Sequence, residues 1–288
     1  DTATPPPKGP LSQAGYNIGA TGNSSFGYFG GGYDGSNNVS TVDRIDYSND
    51  TATALARGPL SVSKYALAAT SSRDNGIPTE NIVNYAAGTL GTPNTGYFAG
   101  GYQTTTNPNN YSTVDRIDYS NDTAIAAVKA PLSSGKSNLA ATGNQNFGYF
   151  GGGLNPSASP SRISTVDRVD YLNDTVTASV KGPLTGGKYG VTATGNSSFG
   201  YFIGGTPGPD GMSFVDRIDY SNDTAAAVAK GTMSIGRFSL GATGNQNFGY
   251  LAAGRDDYGG PYYSTVDRID YSNDTATAVV KGPLNNAR

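Results

Sequence analysis

Short apolar segments alternate with polar, glycine-rich segments along this chain, and the alternation itself recurs. One unit begins with an apolar segment such as YGVTATG (189–195), continues through a polar turn, and reaches an aromatic segment such as FGYFGGG (147–153). The turns read GNSS or GNQN and use residues that tolerate φ > 0. No unit has apolar residues at the three-to-four-residue spacing of a helix. The pattern therefore predicts short antiparallel strands joined by tight turns.

The segment STVDRIDY, first present at 40–47, predicts the third strand of the unit. Successive side chains of a strand point to opposite faces, so Val42 and Arg44 share one face while Asp43 and Ile45 share the other. A turn of sequence SND follows, and a segment of the type TATASVKGPL predicts a fourth strand. Four antiparallel strands in a unit of this size are typical of one blade of a β-propeller.

The unit occurs five times. The aspartate of its VDR tripeptide recurs at spacings of 72, 52, 49 and 51 residues, and the first interval is long because residues 71–95 are inserted between a first and a second strand. A fixed period specifies the architecture. We therefore predict an all-β fold, a single five-bladed β-propeller with four antiparallel strands per blade. The five marker residues are Asp43, Asp115, Asp167, Asp216 and Asp267.

Both ends of the chain carry the fourth-strand phrase, as DTATPPPKGPL at the N-terminus and DTATAVVKGPL near the C-terminus. Proline has no N–H to donate and is excluded from central strands. We therefore assign residues 275–284 to the outer strand of the last blade. Residues 1–12 are expected to form a Pro-rich N-terminal linker or edge segment.

Residues 13–288 are then expected to form the propeller. The first innermost strand would start near Tyr16, and the ring would close where Arg288 meets it. A larger ring, with further blades upstream of Asp1, is the alternative.

The segment YFGGGYDGSNNVSTVDRIDY (28–47) resembles the kelch repeat in its order of aromatic residues, paired glycines, variable loop and V-D-x-x-D/Y. It departs from that repeat after the third strand, where TATA stands in place of the usual tryptophan. The resemblance implies a kelch-like propeller. The phrase STVDRIDYSNDTATA is also similar to repeat-bearing virion tail or surface proteins of marine bacteriophages. That resemblance implies an extracellular or virion-surface location.

Composition narrows the function classes. The net charge of −3 excludes a strong nucleic-acid binder, because nothing basic is clustered enough to neutralise a phosphate backbone. No apolar run approaches the length of a membrane span. Cysteine and histidine are both absent, which removes thiol chemistry, the commonest general base and the commonest metal ligand.

One arginine follows the marker aspartate in every repeat. A feature present in every unit usually serves the repeat itself, so we expect ion pairs between blades that set their register. A ring of anion sites is the alternative. These residues are Arg44, Arg116, Arg168, Arg217 and Arg268.

The sequence DYSND (46–50) places oxygen ligands at alternating positions, as calcium loops do, but lacks the glycine and the distal glutamate of an EF-hand. Asp and Asn are also ordinary turn residues. We therefore expect no cofactor, with calcium as the alternative.

The loops between second and third strands vary most, and an antiparallel blade would bring all five to one rim, together with the fourth-to-first connections. Loops on a rigid scaffold commonly carry recognition, and tyrosine offers a flat amphipathic contact at low entropic cost. We predict a non-enzymatic module that binds a glycan or a cell-surface partner through this rim. The expected ligand-binding residues are Tyr33, Asp34, Tyr102, Tyr111, Asp256, Asp257, Tyr258, Tyr262 and Tyr263.

Two alternatives remain open. The chain could be a structural subunit of a phage particle or filament that packs against its own copies or other virion proteins through these loops. It could also be a glycan-cleaving enzyme, which needs two carboxylates flanking the bond. Because most aspartates are carried by the repeat, which does not readily create one special pair, we assign no catalytic residue. The insertion at 71–95 lies on the opposite rim and is a candidate assembly contact.

Overall fold

The computed structural model describes residues 2–72, 94–104, 109–257 and 259–288. This part of the chain forms twenty strands, grouped in five four-stranded antiparallel sheets whose strands follow chain order. The predicted all-β, five-bladed β-propeller is thus confirmed. Of the 71–95 insertion, residues 73–93 lie outside the described residues.

The strands of each blade run from the central channel outward. Blade 1 comprises β1 (Gly19–Gly22), β2 (Phe26–Gly30), β3 (Val42–Asp46) and β4 (Leu55–Arg57). Blade 2 comprises β5 (Ala68–Ser71), β6 (Thr95–Ala99), β7 (Val114–Asp118) and β8 (Ala127–Lys129). Blade 3 comprises β9 (Ala140–Gly143), β10 (Phe147–Gly151), β11 (Val166–Asp170) and β12 (Ser179–Lys181). Blade 4 comprises β13 (Tyr189–Gly195), β14 (Phe199–Thr206), β15 (Val215–Asp219) and β16 (Val228–Ala229). Blade 5 comprises β17 (Gly241–Gly244), β18 (Phe248–Ala252), β19 (Val266–Asp270) and β20 (Val279–Lys281).

The repeated turn residues have local structural roles. The side chain of Asn23 accepts hydrogen bonds from the backbone N–H groups of Ser25 and Phe26, which shapes the turn between first and second strands. After the third strand, Asp46 accepts from the N–H and the hydroxyl of Ser48 and so caps a short 3-10 turn. Because these side chains bond nearby backbone groups, Asn and Asp recur at the same positions of the repeat.

The fourth strand is shorter than the sequence predicts. In blade 3 only Ser179–Lys181 pairs with β11, and the preceding TVTA residues lie in a turn. The reason is that the N–H of Ala178 donates to the carbonyl of Pro131, in the preceding blade, and not to the third strand. The end of the fourth-strand phrase therefore links blades. In the last blade the outer strand is β20, Val279–Lys281, which lies within the predicted residues 275–284.

The apolar core lies between blades. Four hydrophobic clusters occupy the four junctions from blade 1 to blade 5, and each combines side chains from two consecutive blades. The cluster between blades 1 and 2, for example, joins Tyr28 and Val42 to Phe98 and Ile117. Both faces of blades 2, 3 and 4 are therefore buried, so the third strands of these blades have no side that faces solvent.

Charged groups are paired across the same four junctions. The guanidinium of Arg44 lies 2.7 Å from the carboxylate of Asp122 in the next blade, which confirms the expected blade-to-blade ion pair. Its counterparts are Arg116–Asp174, Arg168–Asp223 and Arg217–Asp274. A second set joins the basic residue that ends one blade to the VDR aspartate of the next: Lys64–Asp115, Lys136–Asp167, Lys188–Asp216 and Arg237–Asp267.

A spiral of backbone hydrogen bonds surrounds the channel at the start of the innermost strands. The N–H of Ala66 donates to the carbonyl of Asn17, and the same link joins each later blade to the one before it, ending at Ser239. Within the described residues the fifth link, from Asn17 to Ser239, is not formed. The backbone N–H of Arg288 donates to Tyr263 and its carbonyl accepts from Gly254, so both bonds stay within blade 5. The closure expected between Arg288 and the first strand is therefore not made by these hydrogen bonds.

Candidate functional site

The variable loops and the fourth-to-first connections are joined on one rim. In blade 1, Tyr33 forms β-bridges with Tyr16, at the start of the blade, and with Asn38, at the end of the variable loop. Blades 2, 3 and 5 contain the equivalent bridges, and blade 4 achieves the same junction through the longer pairing that ends at Tyr189 and Thr206. This geometry supports the expectation that both kinds of loop share a rim.

A cavity of about 1100 Å³ opens on this rim. Four aromatic side chains from the starts of blades line it, together with residues of the variable loops. A pocket that combines aromatic surface with a few polar and charged groups is a typical small-molecule or glycan site. The lining residues that carry this chemistry are Tyr16, Tyr65, Tyr189, Phe238, Tyr262, Arg162, Arg255 and Arg288.

Four tyrosine rings form a continuous row along one side of the rim. The ring centroids of Tyr16 and Tyr33 lie 5.5 Å apart, those of Tyr33 and Tyr65 lie 5.7 Å apart, and those of Tyr65 and Tyr102 lie 5.4 Å apart. The last pair is edge-to-face. Burial raises the pKa of the Tyr65 hydroxyl, and the neighbouring tyrosines add to the shift. Its hydroxyl is therefore neutral at physiological pH and available as a donor and an acceptor.

Arginine side chains are held over aromatic rings on the other side of the cavity. The guanidinium of Arg255 lies 5.0 Å from the ring centroid of Phe238 and 5.9 Å from that of Tyr262. The guanidinium of Arg162 lies 5.8 Å from the ring of Tyr189. Cation–π contacts of this kind hold the guanidinium against the wall of the cavity. These arginines therefore place positive charge where an anionic ligand would lie.

The predicted tyrosines divide into three sets. Tyr262 lines the cavity and is 56% exposed, while Tyr33 and Tyr102 lie in the tyrosine row. The hydroxyl of Tyr111 donates to the side-chain carbonyl of Gln103, so this residue fixes its own loop. Tyr263 donates to Asp256 in the same way, at 2.8 Å. Tyr258 lies outside the described residues.

The predicted aspartates shape the loops. Asp34 accepts from the N–H groups of Asn37 and Ser36, and these bonds lower the pKa of its carboxyl. Asp257 accepts from the N–H of Gly259, at 2.6 Å. Asp256 accepts the hydroxyl of Tyr263, a bond that raises the pKa of that tyrosine. Asp34, Asp256 and Asp257 do not line the cavity that Tyr262 lines.

The sequence prediction missed the aromatic residues at the starts of blades. Tyr65, Tyr189 and Phe238 each follow the basic residue of the GPLxxxK phrase, and Tyr16 occupies the same position after the N-terminal phrase. This was a readable signal, because an aromatic residue stands there in four of the five blades. Because the repeat carries this aromatic residue, it resembles a structural residue in the sequence.

The cavity in the central channel is smaller than the rim cavity and has different lining residues. A cavity of about 350 Å³ is lined by the alanines and threonines of the repeated ATG and ATS segments, such as Ala69, Thr70 and Ala141. Among the described residues, no group of three or more acidic side chains could hold a metal ion. In the DYSND turns the first aspartate accepts from the turn itself, and the last one binds arginine in the four junctions described above.

No protein-family model matches the chain, and its sequence matches no curated protein. The five-bladed architecture is compatible with a kelch-like repeat protein. None of the helices in the described residues is long and apolar enough to cross a membrane.

Proposed function

We propose that this chain is a non-enzymatic recognition module of the kelch-like type that binds a glycan in the rim cavity. The observation that carries the proposal is the cavity of about 1100 Å³ lined by Tyr16, Tyr65, Tyr189 and Tyr262. Aromatic rings present an apolar face to the C–H surfaces of a sugar ring, and the tyrosine hydroxyl provides a hydrogen-bonding edge. A β-propeller supplies the rigid scaffold that such a site requires.

The arginines indicate the ligand class within this proposal. Arg162, Arg255 and Arg288 all line the cavity, whereas Asp34, Asp256 and Asp257 do not. A guanidinium recognises carboxylate or sulfate groups through paired hydrogen bonds. We therefore propose that acidic glycans bind more tightly than neutral glycans of the same size. An extracellular or virion-surface location, which the phage-like wording of the repeat supports, belongs to this proposal.

The test is a glycan array followed by calorimetry with the best ligand. Tyr262→Ala should weaken binding about tenfold, or roughly 1.4 kcal/mol. Tyr47→Ala is the matched control, because Tyr47 is 53% exposed and Tyr262 56%, but Tyr47 does not line the cavity. Neither variant should alter the melting temperature by more than a degree or two.

The outcome also separates the alternatives. Binding without release of reducing sugar supports a recognition module, whereas turnover would make the chain a glycan-cleaving enzyme. If the array shows no ligand and light scattering shows large assemblies, a structural role in a particle or filament replaces the proposal. Binding that is equally weakened by Tyr262→Ala and Tyr47→Ala would place the site elsewhere.

A further inference from the structure

The junction between blade 5 and blade 1 lacks what the other four junctions contain. Each of those four has a stacked tyrosine pair, such as Tyr201 and Tyr271 at 4.8 Å, whose second hydroxyl contacts a threonine of the preceding blade. In blade 1 the corresponding Tyr47 is 53% exposed, against 9% for Tyr271. The described residues form no hydrophobic cluster between blades 5 and 1. We call this the open junction.

The blade 1 face of the open junction presents groups whose counterparts are covered. Asp50 corresponds to Asp122, but its only ion pair in the described part of the chain is with Lys8, and its side chain is 40% exposed against 9% for Asp122. Ile45 is half-buried, whereas its counterpart Ile117 is 4% exposed. In the closed junctions the preceding blade covers the equivalent acid and apolar surface. On blade 1 both remain partly exposed.

The blade 5 face is complementary. Thr243 is exposed, whereas its counterpart Thr194 is buried and contacts the hydroxyl of Tyr271. Leu284 is half-buried, while its counterpart Leu60 is 2% exposed and lies in a core cluster. Arg288 takes the place of Lys64, which lies 2.9 Å from Asp115 of the following blade, but Arg288 is exposed. In the closed junctions the following blade contacts the equivalent threonine, leucine and basic residue. On blade 5 these three groups have no such neighbour in the described part of the chain.

The N-terminal segment, residues 2–11, lies between these faces and forms the same hydrogen bonds as the outer strand of a blade. The N–H of Gly9 donates to the carbonyl of Asp50, as that of Gly58 does to Asp122. The N–H of Ala54 donates to the carbonyl of Pro10, as Ala126 does to Pro59. Toward blade 1, the segment therefore takes the place of a preceding blade's fourth strand.

The same segment also meets blade 5 as a following blade would. A glycine follows the fourth strand in blades 1, 3, 4 and 5, where blade 2 has Ala130, and it lies so close to the next blade that an added Cβ would meet backbone carbonyls. For Gly58 these belong to Ala124, and for Gly282 they belong to Thr2 and Ala3, at the matching position of the N-terminal phrase. The segment thus occupies the position of the outer strand of a further blade, located between blade 5 and blade 1.

We propose that the open junction is a docking site for three further strands of this same repeat, which would complete a sixth blade around residues 2–11. In every blade the fourth strand directly follows the third, so these strands would enter on the N-terminal side of Thr2. Their second-strand tyrosine and third-strand arginine would reach Asp50. Their VDR aspartate would meet Arg288, and the tyrosine after their third strand would meet Thr243. This inference does not rest on the proposed glycan site, although Arg288 also lines that cavity.

The experiment supplies the strands in cis. A copy of residues 189–222, which are all described and precede Asp223, is fused directly ahead of Asp1. We expect a monomer whose melting temperature rises by about 5 °C or more, because an additional junction on each side buries apolar surface. Amide exchange at Asn17, whose N–H donates to no Ser239 carbonyl, should slow by at least about tenfold relative to the unfused chain.

Matched variants test whether the added strands dock specifically at the open junction. In the fused chain, Asp50→Asn together with Tyr47→Ala should remove most of the gain, while the same changes in the unfused chain should alter its melting temperature little. A second fusion carrying a copy of residues 137–173 guards against failure of the first copy to fold. A protease-sensitive extension with no gain in melting temperature, for both copies, would overturn the proposal. So would a stable dimer of the unfused chain in which Tyr47 becomes buried, since a second copy would then be the occupant.

Discussion

The four closed junctions and the open junction are built from the same repeat, yet only the closed ones have a core. At the closed junction between blades 4 and 5, Tyr271 stacks on Tyr201 and is 9% exposed. At the open junction Tyr47, in the same position of the repeat, is 53% exposed. The side chains alone therefore do not make the core. A blade is a two-faced layer, and each face is buried only when the next layer is present.

This comparison also explains which charges are structural. In the closed junctions every VDR aspartate of blades 2 to 5 pairs with the cation that ends the preceding blade. In blade 1, Asp43 accepts from the N–H and hydroxyl of Ser12, as Asp216 does from Thr185, but Gly15 occupies the place of the cation. Stability should accordingly be concentrated in the closed junctions, and matched substitutions across the two kinds of junction measure the difference.

The largest difference is expected for the stacked tyrosine. Tyr271→Ala removes a buried ring from the core between blades 4 and 5 and should lower the free energy of unfolding by about 3 to 5 kcal/mol. Tyr47→Ala removes the same ring from an exposed position and should cost less than about 0.5 kcal/mol. Chemical denaturation of both variants measures the two values. Equal losses would show that the open junction is packed in solution.

A buried cation should matter nearly as much. Lys136 and Asp167 are both fully buried and 2.8 Å apart, so Lys136→Met leaves a carboxylate with no counter-charge. Breaking such a pair typically costs about 3 kcal/mol or more. Lys8→Met is the matched control, because the side chains of Lys8 and Asp50 are 50% and 40% exposed, and an exposed pair contributes about 0.5 kcal/mol.

Chemical denaturation of Lys136→Met and Lys8→Met at neutral pH measures the two losses. If Lys136→Met is as stable as the parent chain at neutral pH, the buried pair does not stabilise the junction.

Alkaline pH should weaken the closed junctions specifically. Burial raises the pKa of Tyr97 to about 12 from its ordinary value of 10.0, and the charge of Asp174 adds to the shift. Because the folded-state pKa is raised, the contribution is complete below pH 10 and is lost as pH rises towards 12. Each such tyrosine should cost about 1.4 kcal/mol per pH unit in that window. Burial also raises the pKa of Tyr28, Tyr149 and Tyr201, which lie in the other three closed junctions.

Thermal unfolding between pH 9 and 11.5, together with tyrosinate absorbance at 295 nm, checks this expectation. The folded chain should ionise its second-strand tyrosines only as it unfolds, and Tyr97→Phe should reduce the slope of stability against pH. A slope unchanged by Tyr97→Phe would contradict the assignment.

The repeat made most of the fold predictable. Five copies of STVDRIDY and of the aromatic second strand indicated five sheets, and alternation within the third strand placed Arg44 and Ile45 on opposite faces. The ion pair of Arg44 followed from its presence in every unit. Its partner, Asp122, did not follow, because the next blade lies beside it only in three dimensions.

The rim site was less predictable for a related reason. Tyr262 was found through its variable loop, but Tyr65 and Tyr189 belong to the repeat and resemble structural residues in the sequence. Their place in the cavity depends on how the starts of different blades converge. The open junction was similarly hidden, since the N-terminal proline run predicted either a linker or an edge segment, and Gly9 and Pro10 bond to blade 1 as an outer strand does. The fourth strand is the edge of the blade, where proline is tolerated.

The smallest expected effect is a gain. Gly15→Lys restores the basic residue that the repeat places opposite a VDR aspartate, here Asp43, which is buried at 4% exposure. A Cβ at Gly15 would lie 3.4 Å from the carbonyl oxygen of Tyr33 and 3.6 Å from Ile18, which are ordinary contacts. Because Asp43 is already desolvated, a cation beside it should raise the free energy of unfolding by about 1 kcal/mol.

A double-mutant cycle with Asp43→Asn isolates this ion pair, since the gain from Gly15→Lys should vanish when the carboxylate is absent. Gly186→Lys, at a glycine with open space around its Cβ position, controls for the added charge and the lost glycine. If Gly15→Lys stabilises the chain equally with Asn at position 43, the gain comes from reduced flexibility of the unfolded chain. The N-terminal segment would then be held to blade 1 by its backbone and Ser12 bonds, and the closed junctions would differ from it by more than one missing cation.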